Sequence, residues 1–363
     1  MSSLLGTNRK QEYIFINYLR VFACALIIIK HVAGSCLDYF FSLGGYDGFY
    51  SIILWSINYI LWFAVNLFFM ITGYIYLSDN KECTYKSISK NIIRLFLYLF
   101  IFGIVFTLLL EIIGGRRLYS IGDFLNILKT HPITIDTVTR SIGSVLTAKN
   151  QWGHMWFMYD IIKIYIILPI IKSFTKDNDY NIYILTGLLC LFNIFIPIFT
   201  KYTGISIYNF LPSGIYIIMT CIGGLLSKLT DKINKTHSII CSIVSALIIV
   251  FYFIYNINNK SVLFLGTSST LTIILSILIF ISFININIDN KIVRLISKCT
   301  LVIYLIHPMM IHIYYGIIKF NPLKYNLSFS IPFSSIIILA ASFVIAYIIE
   351  FILSRIHNLY SNR

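Results

Sequence analysis

Charge is scarce in this chain. Asp, Glu, Lys and Arg together supply 12% of its 363 residues, whereas a water-soluble domain carries about twice that share to cover its surface. Acidic residues are the scarcer sign, 14 against 28 basic ones. The seven cysteines show neither metal-ligand spacing nor a paired framework. Soluble-enzyme signatures are missing altogether: there is no G-x-S-x-G elbow, Walker loop, dinucleotide fingerprint or H-E-x-x-H. The first apolar run has no small-residue cleavage site, so no cleaved leader is expected. These absences exclude a sizeable soluble catalytic domain and a disulfide scaffold, and no metal is expected.

What the chain has instead is apolar surface. Hydrophobic residues make up 58% of it, and the mean hydropathy is +0.84. Apolar runs near 20 residues recur from Tyr13 to Leu353. In hydrocarbon every backbone N–H and C=O must be satisfied internally, which leaves helices or a closed barrel. Barrel strands alternate apolar and polar residues over ~10 positions; these runs are continuous and therefore helical. The expected fold is an all-α, polytopic integral membrane bundle forming a single domain over 1–363. About ten spans are expected, near 13–33, 50–77, 91–113, 152–172, 181–199, 211–228, 237–255, 267–287, 299–318 and 332–353.

The net charge of +14 resides in short loops between spans, which points to a lipid bilayer as partner and not to nucleic acid. With the N-terminus in the cytoplasm, the inner loops hold Lys81, Lys86 and Lys90; Lys172 and Lys176; Lys228, Lys232 and Lys235; and Lys291, Arg294 and Lys298. The first outer loop, 34–49, has no Lys or Arg. Both termini are therefore expected inside. A long segment, 114–150, is expected as an extracytoplasmic loop. The bias toward Ile, Asn, Lys and Tyr suggests an AT-rich bacterial genome.

Ionisable side chains within spans cost ~2.5–3.5 kcal/mol each on insertion scales, so each raises a functional question. In YLRVFACALIIIKH, Arg20 and His31 are separated by ten residues. Eleven helical steps of ~100° return to within ~20° of the same face, ~16 Å further along. A permanent cation and a deeper titratable imidazole suit an anionic cytoplasmic donor reaching toward a buried base; a snorkelling Arg and a hydrogen-bonded His fit the spacing equally. Lys30 adds a further cation to this span. Arg94 is either a phosphate ligand or a headgroup anchor. Asp160 and Lys163, three apart, are expected to pair. Trp152, His154, Trp156 and Tyr159 form either an aromatic belt or a ring-lined sugar site. Tyr304 and His307 share a face just before Pro308, which marks a cavity or an inert kink.

Taken together, these segments resemble the acyltransferase 3 family of bacterial membrane proteins. INYLR with Arg20 and His31 resembles the family's Arg-x10-His signature. LFFMITGYIYL (67–77) resembles its F-F-x-x-S-G-Y pattern through Phe68, Phe69, Gly73 and Tyr74, with Thr72 replacing the Ser. Arg94 stands where the family carries arginine at the start of the third span. GHMWFMYDIIKIYIILPII (153–171) and the Y-L-x-H-P segment at Tyr304, Leu305, His307 and Pro308 complete the series in the family's order. Asn17 stands where an Asp is common.

The resemblance implies a multi-pass protein of the bacterial cytoplasmic (inner) membrane. It implies acyl-CoA, usually acetyl-CoA, as cytoplasmic donor and a hydroxyl of a surface polysaccharide, peptidoglycan or lipid-linked sugar as acceptor. Arg20 and Arg94 would then hold donor phosphates, and His31 would be general base or transient acyl carrier. Trp156, Tyr159, Tyr304, His154 and His307 would line the acceptor side. The alternative is an exporter of a polysaccharide or lipid-linked glycan, although no internal repeat of the transporter kind is found.

Overall fold

The computed structural model describes residues 14–42, 48–79, 81–113, 134–149, 153–176, 178, 180–205, 214–318, 320 and 324–361. Among these, every regular element is helical. The α-helices are α1 (Ile14–Ser42), α2 (Phe49–Ile60), α3 (Phe63–Tyr76), α4 (Tyr85–Ile113), α5 (Ile135–Thr147), α6 (Trp156–Lys176) and α7 (Tyr180–Cys190). They continue as α8 (Ile196–Thr203), α9 (Ile215–Leu229), α10 (Lys235–Asn258), α11 (Thr270–Phe283), α12 (Lys291–His312) and α13 (Leu327–Ser361).

Seven helical stretches are long and apolar enough to cross a bilayer: Ile14–Asp38, Phe49–Tyr76, Tyr85–Leu109, Tyr180–Thr203, Lys235–Asn258, Lys291–Tyr315 and Leu327–Arg355. The other three expected spans are helical too, but each falls short for a physical reason. α6 carries Asp160, Lys163, Lys172 and Lys176, while α9 and α11 have 15 and 14 residues. Fourteen residues rise only ~21 Å against ~30 Å of hydrocarbon. The long second run is interrupted by a turn at Leu61 and Trp62, which separates α2 from α3. Of the expected outer loop, 114–133 and 150 lie outside the described residues, and 135–147 form α5. Thr134 caps that helix by accepting from the Thr137 amide.

The chain divides into two compact units, Met1–Cys83 with Leu168–Thr300 and Thr84–Ile167 with Leu301–Arg363. The first is built on a backbone-to-backbone crossing of α3 and α9. A Cβ on Gly73 would overlap the Thr220 carbonyl, and one on Gly223 would overlap that of Met70. Small residues let helices approach this closely where lipid leaves little hydrophobic drive between them. Phe15, Tyr74 and Phe280 pack beside the crossing with centroids 5.2–5.8 Å apart. Beyond the end of α3, the buried Lys172 ammonium donates to the Leu77 and Ser78 carbonyls at 3.2 and 2.7 Å, satisfying acceptors that a helix end leaves open.

The second unit is held by polar side chains. The Tyr85 hydroxyl donates to the Ile166 carbonyl at 3.1 Å, and Tyr159 donates to that of Val145 at 2.7 Å. Along α4, Tyr98, Phe102 and Phe106 follow at four-residue intervals, edge-on and then tilted, with centroids about 6 Å apart.

Candidate functional site

Within the first unit, α1 runs unbroken from Ile14 to Ser42, so the ten-residue spacing of Arg20 and His31 becomes a shared stripe. The positions between them on that stripe are Cys24 and Ile27, four and seven residues after Arg20. Both are buried, at 1% and 2% exposure, and the Cys24 thiol donates to the Thr300 carbonyl at 3.8 Å. The stripe therefore faces protein and not lipid. Arg20 and His31, at its two ends, are half-buried, and both have interaction partners. A guanidinium at one depth and an imidazole ~16 Å further along can hold an anion and a titratable nitrogen on the same side of one helix.

In the second unit, the Arg94 fork is occupied by the protein itself. Its Nη2 lies 2.6 Å from Glu350 Oε1 and 3.1 Å from the Tyr98 hydroxyl, while Tyr98 donates to the same carboxylate oxygen at 2.9 Å. The Arg94 side chain stays 50% exposed and that of Glu350 22%, so the guanidinium is accessible to an anion that competes with the carboxylate. Glu350 lies 256 residues away in the chain, and no local spacing could have joined the two; its position near the end of an apolar run was the only signal.

His154, Tyr304 and His307 come together at the far end of the α4 ring ladder, where Phe106 packs against His154 at 5.6 Å. Arg94 and Phe106 are twelve residues apart, ~18 Å along α4, so Arg94 and this cluster occupy different depths. Pro308 explains the cluster. Proline lacks an N–H and so leaves the carbonyl four residues earlier, that of Tyr304, without its helical donor. His307 Nδ1 donates to it at 2.6 Å, and His154 Nε2 donates to the next carbonyl, Leu305, at 3.2 Å. The Tyr304 hydroxyl returns a bond to the His154 carbonyl. Both imidazoles are buried, with centroids 5.8 Å apart. The bonds also fix the tautomers, because a ring nitrogen facing a carbonyl must carry the proton. The helical bond that Pro308 removes is thus made good by a side chain.

Trp156 opens α6 half-buried, edge-on to Phe157 at 6.2 Å, and Phe157 in turn packs on Tyr304 at 4.9 Å. Tyr159, one turn further on, commits its hydroxyl proton to α5. Trp152 lies outside the described residues. Lys163 and Asp160 pair at 2.8 Å as their spacing predicts. Of the family-like residues, Gly73 is accounted for by the helix crossing alone.

A family model described as an acyltransferase domain, that of the acyltransferase 3 family, matches residues 13–355. No curated protein and no solved structure matches.

Proposed function

Starting from the fact that the chain belongs to the acyltransferase 3 family, we propose that it is a membrane-bound O-acyltransferase. It moves an acyl group, taken as acetyl, from cytoplasmic acyl-CoA to a hydroxyl of an extracytoplasmic or lipid-linked glycan. In this reading the chain has ten spans with both termini in the cytoplasm of a bacterium, and the segment 114–150 lies outside.

The observation that carries the reading is the inward stripe of α1 with Arg20 and His31 at its ends. A guanidinium fork matches phosphate geometry, so Arg20 is assigned to the donor's phosphates, and Arg94 to the same chemistry once released from Glu350. His31 takes the proton of the acceptor hydroxyl. The oxygen attacks the thioester carbonyl, the C–S bond breaks, and the thiolate of CoA leaves with the proton that His31 holds. A second route uses the same imidazole as a carrier: its nitrogen takes the acyl group from sulfur and passes it to the hydroxyl. An acyl-histidine trapped at His31 selects that route. Trp156, Tyr159 and Tyr304 are assigned to the acceptor side, where His154 and His307 keep the wall in shape.

The test supplies reconstituted protein with labelled acetyl-CoA and candidate glycans. Replacing His31 by Ala is expected to lower transfer ~10²–10⁴-fold with the fold retained, and Arg20→Ala to weaken donor binding. Glycan flux across the bilayer without acylation would overturn the reading in favour of an exporter.

A further inference from the structure

Lys30 precedes His31 on α1, within the first candidate span, and the chemistry above does not use it. Its side chain is buried, at 6% exposure. Among the described residues its ammonium forms no ion pair, and the one partner it has is the face of Trp62, 3.9 Å from the ring centroid. A ring quadrupole attracts a cation but carries no net charge to neutralise it. Burying a charge without a counter-charge is strongly unfavourable, and in a membrane such a residue marks a ligand pathway by default.

The surroundings indicate what the ligand is. Trp55, Asn58 and Tyr59 recur at the three- and four-residue spacing of one face of α2, and Trp62 lies in the turn that follows it. Asn58 reaches α1, donating to the Lys30 carbonyl at 3.3 Å. Gly34, one turn beyond Lys30, leaves room for that carboxamide: a Cβ there would lie 2.9 Å from Asn58 Nδ2. Trp55 and Tyr59 stack at 5.1 Å, and Tyr59 meets Phe264 at 4.6 Å. Flat rings, one amide and one cation are the groups that recognise a sugar ring bearing an acid.

We propose that Lys30, backed by the Trp62 face, receives an anionic oxygen group, carboxylate or phosphate, on a sugar. Resting on the acyltransferase reading, this makes the acceptor an acidic glycan and sets its charged group beside His31. The site lies wholly within the first unit.

The experiment measures binding of glucuronate, glucose 1-phosphate and glucose to the full chain in detergent, read from tryptophan fluorescence and calorimetry. Both anionic sugars are expected to bind about tenfold tighter than glucose. Lys30→Met abolishes the difference while glucose binding is kept, and Lys30→Arg preserves it. Tighter binding of one anion alone assigns the site to carboxylate or to phosphate. Equal affinity for all three sugars, as an uncharged amine would give, overturns the proposal, as does a preference that survives in Lys30→Met. Because binding is read without turnover, a chain that fails to transfer acyl groups yet shows the Lys30-dependent preference loses the acyltransferase reading and keeps this site.

Discussion

The two units put polar groups to different uses. In the second, the buried imidazoles serve the backbone: His307 donates to the Tyr304 carbonyl that Pro308 leaves without its helical donor, and His154 to the next carbonyl, Leu305. In the first, α1 is continuous over 29 residues and holds no proline. Arg20 and His31 have partners of their own there, whereas among the described residues the buried Lys30 ammonium meets only the face of Trp62. A polar residue in a span that repairs nothing is the better candidate for chemistry.

The largest way to break this contrast is to attack what holds the first unit together. Gly73→Ala sets a methyl group against the Thr220 carbonyl, and backbone cannot give way as a side chain does. A loss of about 3 kcal/mol is expected, the upper end for overpacking, read as a lowered thermal midpoint in detergent. An unchanged midpoint would mean that α3 and α9 do not cross so closely.

His307 sharpens the other side of the comparison. His307→Ala leaves the Tyr304 carbonyl without its donor and is expected to cost about 1–3 kcal/mol. Asn, whose amide nitrogen takes the place of Nδ1, recovers most of that stability. Were Ala and Asn to behave alike, the repair account would be wrong.

A smaller effect is expected at Arg94. Glu350→Gln removes the charge that competes for the guanidinium, and the donor's KM is predicted to fall about threefold, the range of a partly exposed pair. A rise in KM would show instead that Glu350 orients Arg94 for the donor.

The mildest test concerns Cys83, in the loop after α3. Burial pushes its thiol up to about 11, against the opposing pull of Lys172 and then Lys81. The thiolate is the reactive form, so alkylation is expected to be slow at pH 7 and to climb tenfold per pH unit until about pH 11. Rapid labelling at neutral pH, followed by mass spectrometry of the peptide, would contradict the burial.

Much of this was legible in the residues themselves. Continuous apolar runs require helices, and the Arg20–His31 interval required a common stripe, because both follow from the fixed rise and turn of one helix. The Asp160–Lys163 pair was readable for the same reason. The count of crossings was less so, since α9 and α11 turned out to be 15 and 14 residues long. Where a helix ends depends on neighbours and loop paths that composition does not encode.

Only the tertiary structure decided which polar groups are already spoken for. Glu350 on Arg94, the Leu305 carbonyl on His154 and the ring of Trp62 under Lys30 are meetings between distant segments. Sequence by itself determined an all-helical membrane protein with cations and imidazoles in costly positions. Packing gave His154 a backbone carbonyl and Arg94 a carboxylate, because hydrogen-bond satisfaction depends on which helices meet and not on spacing along one of them.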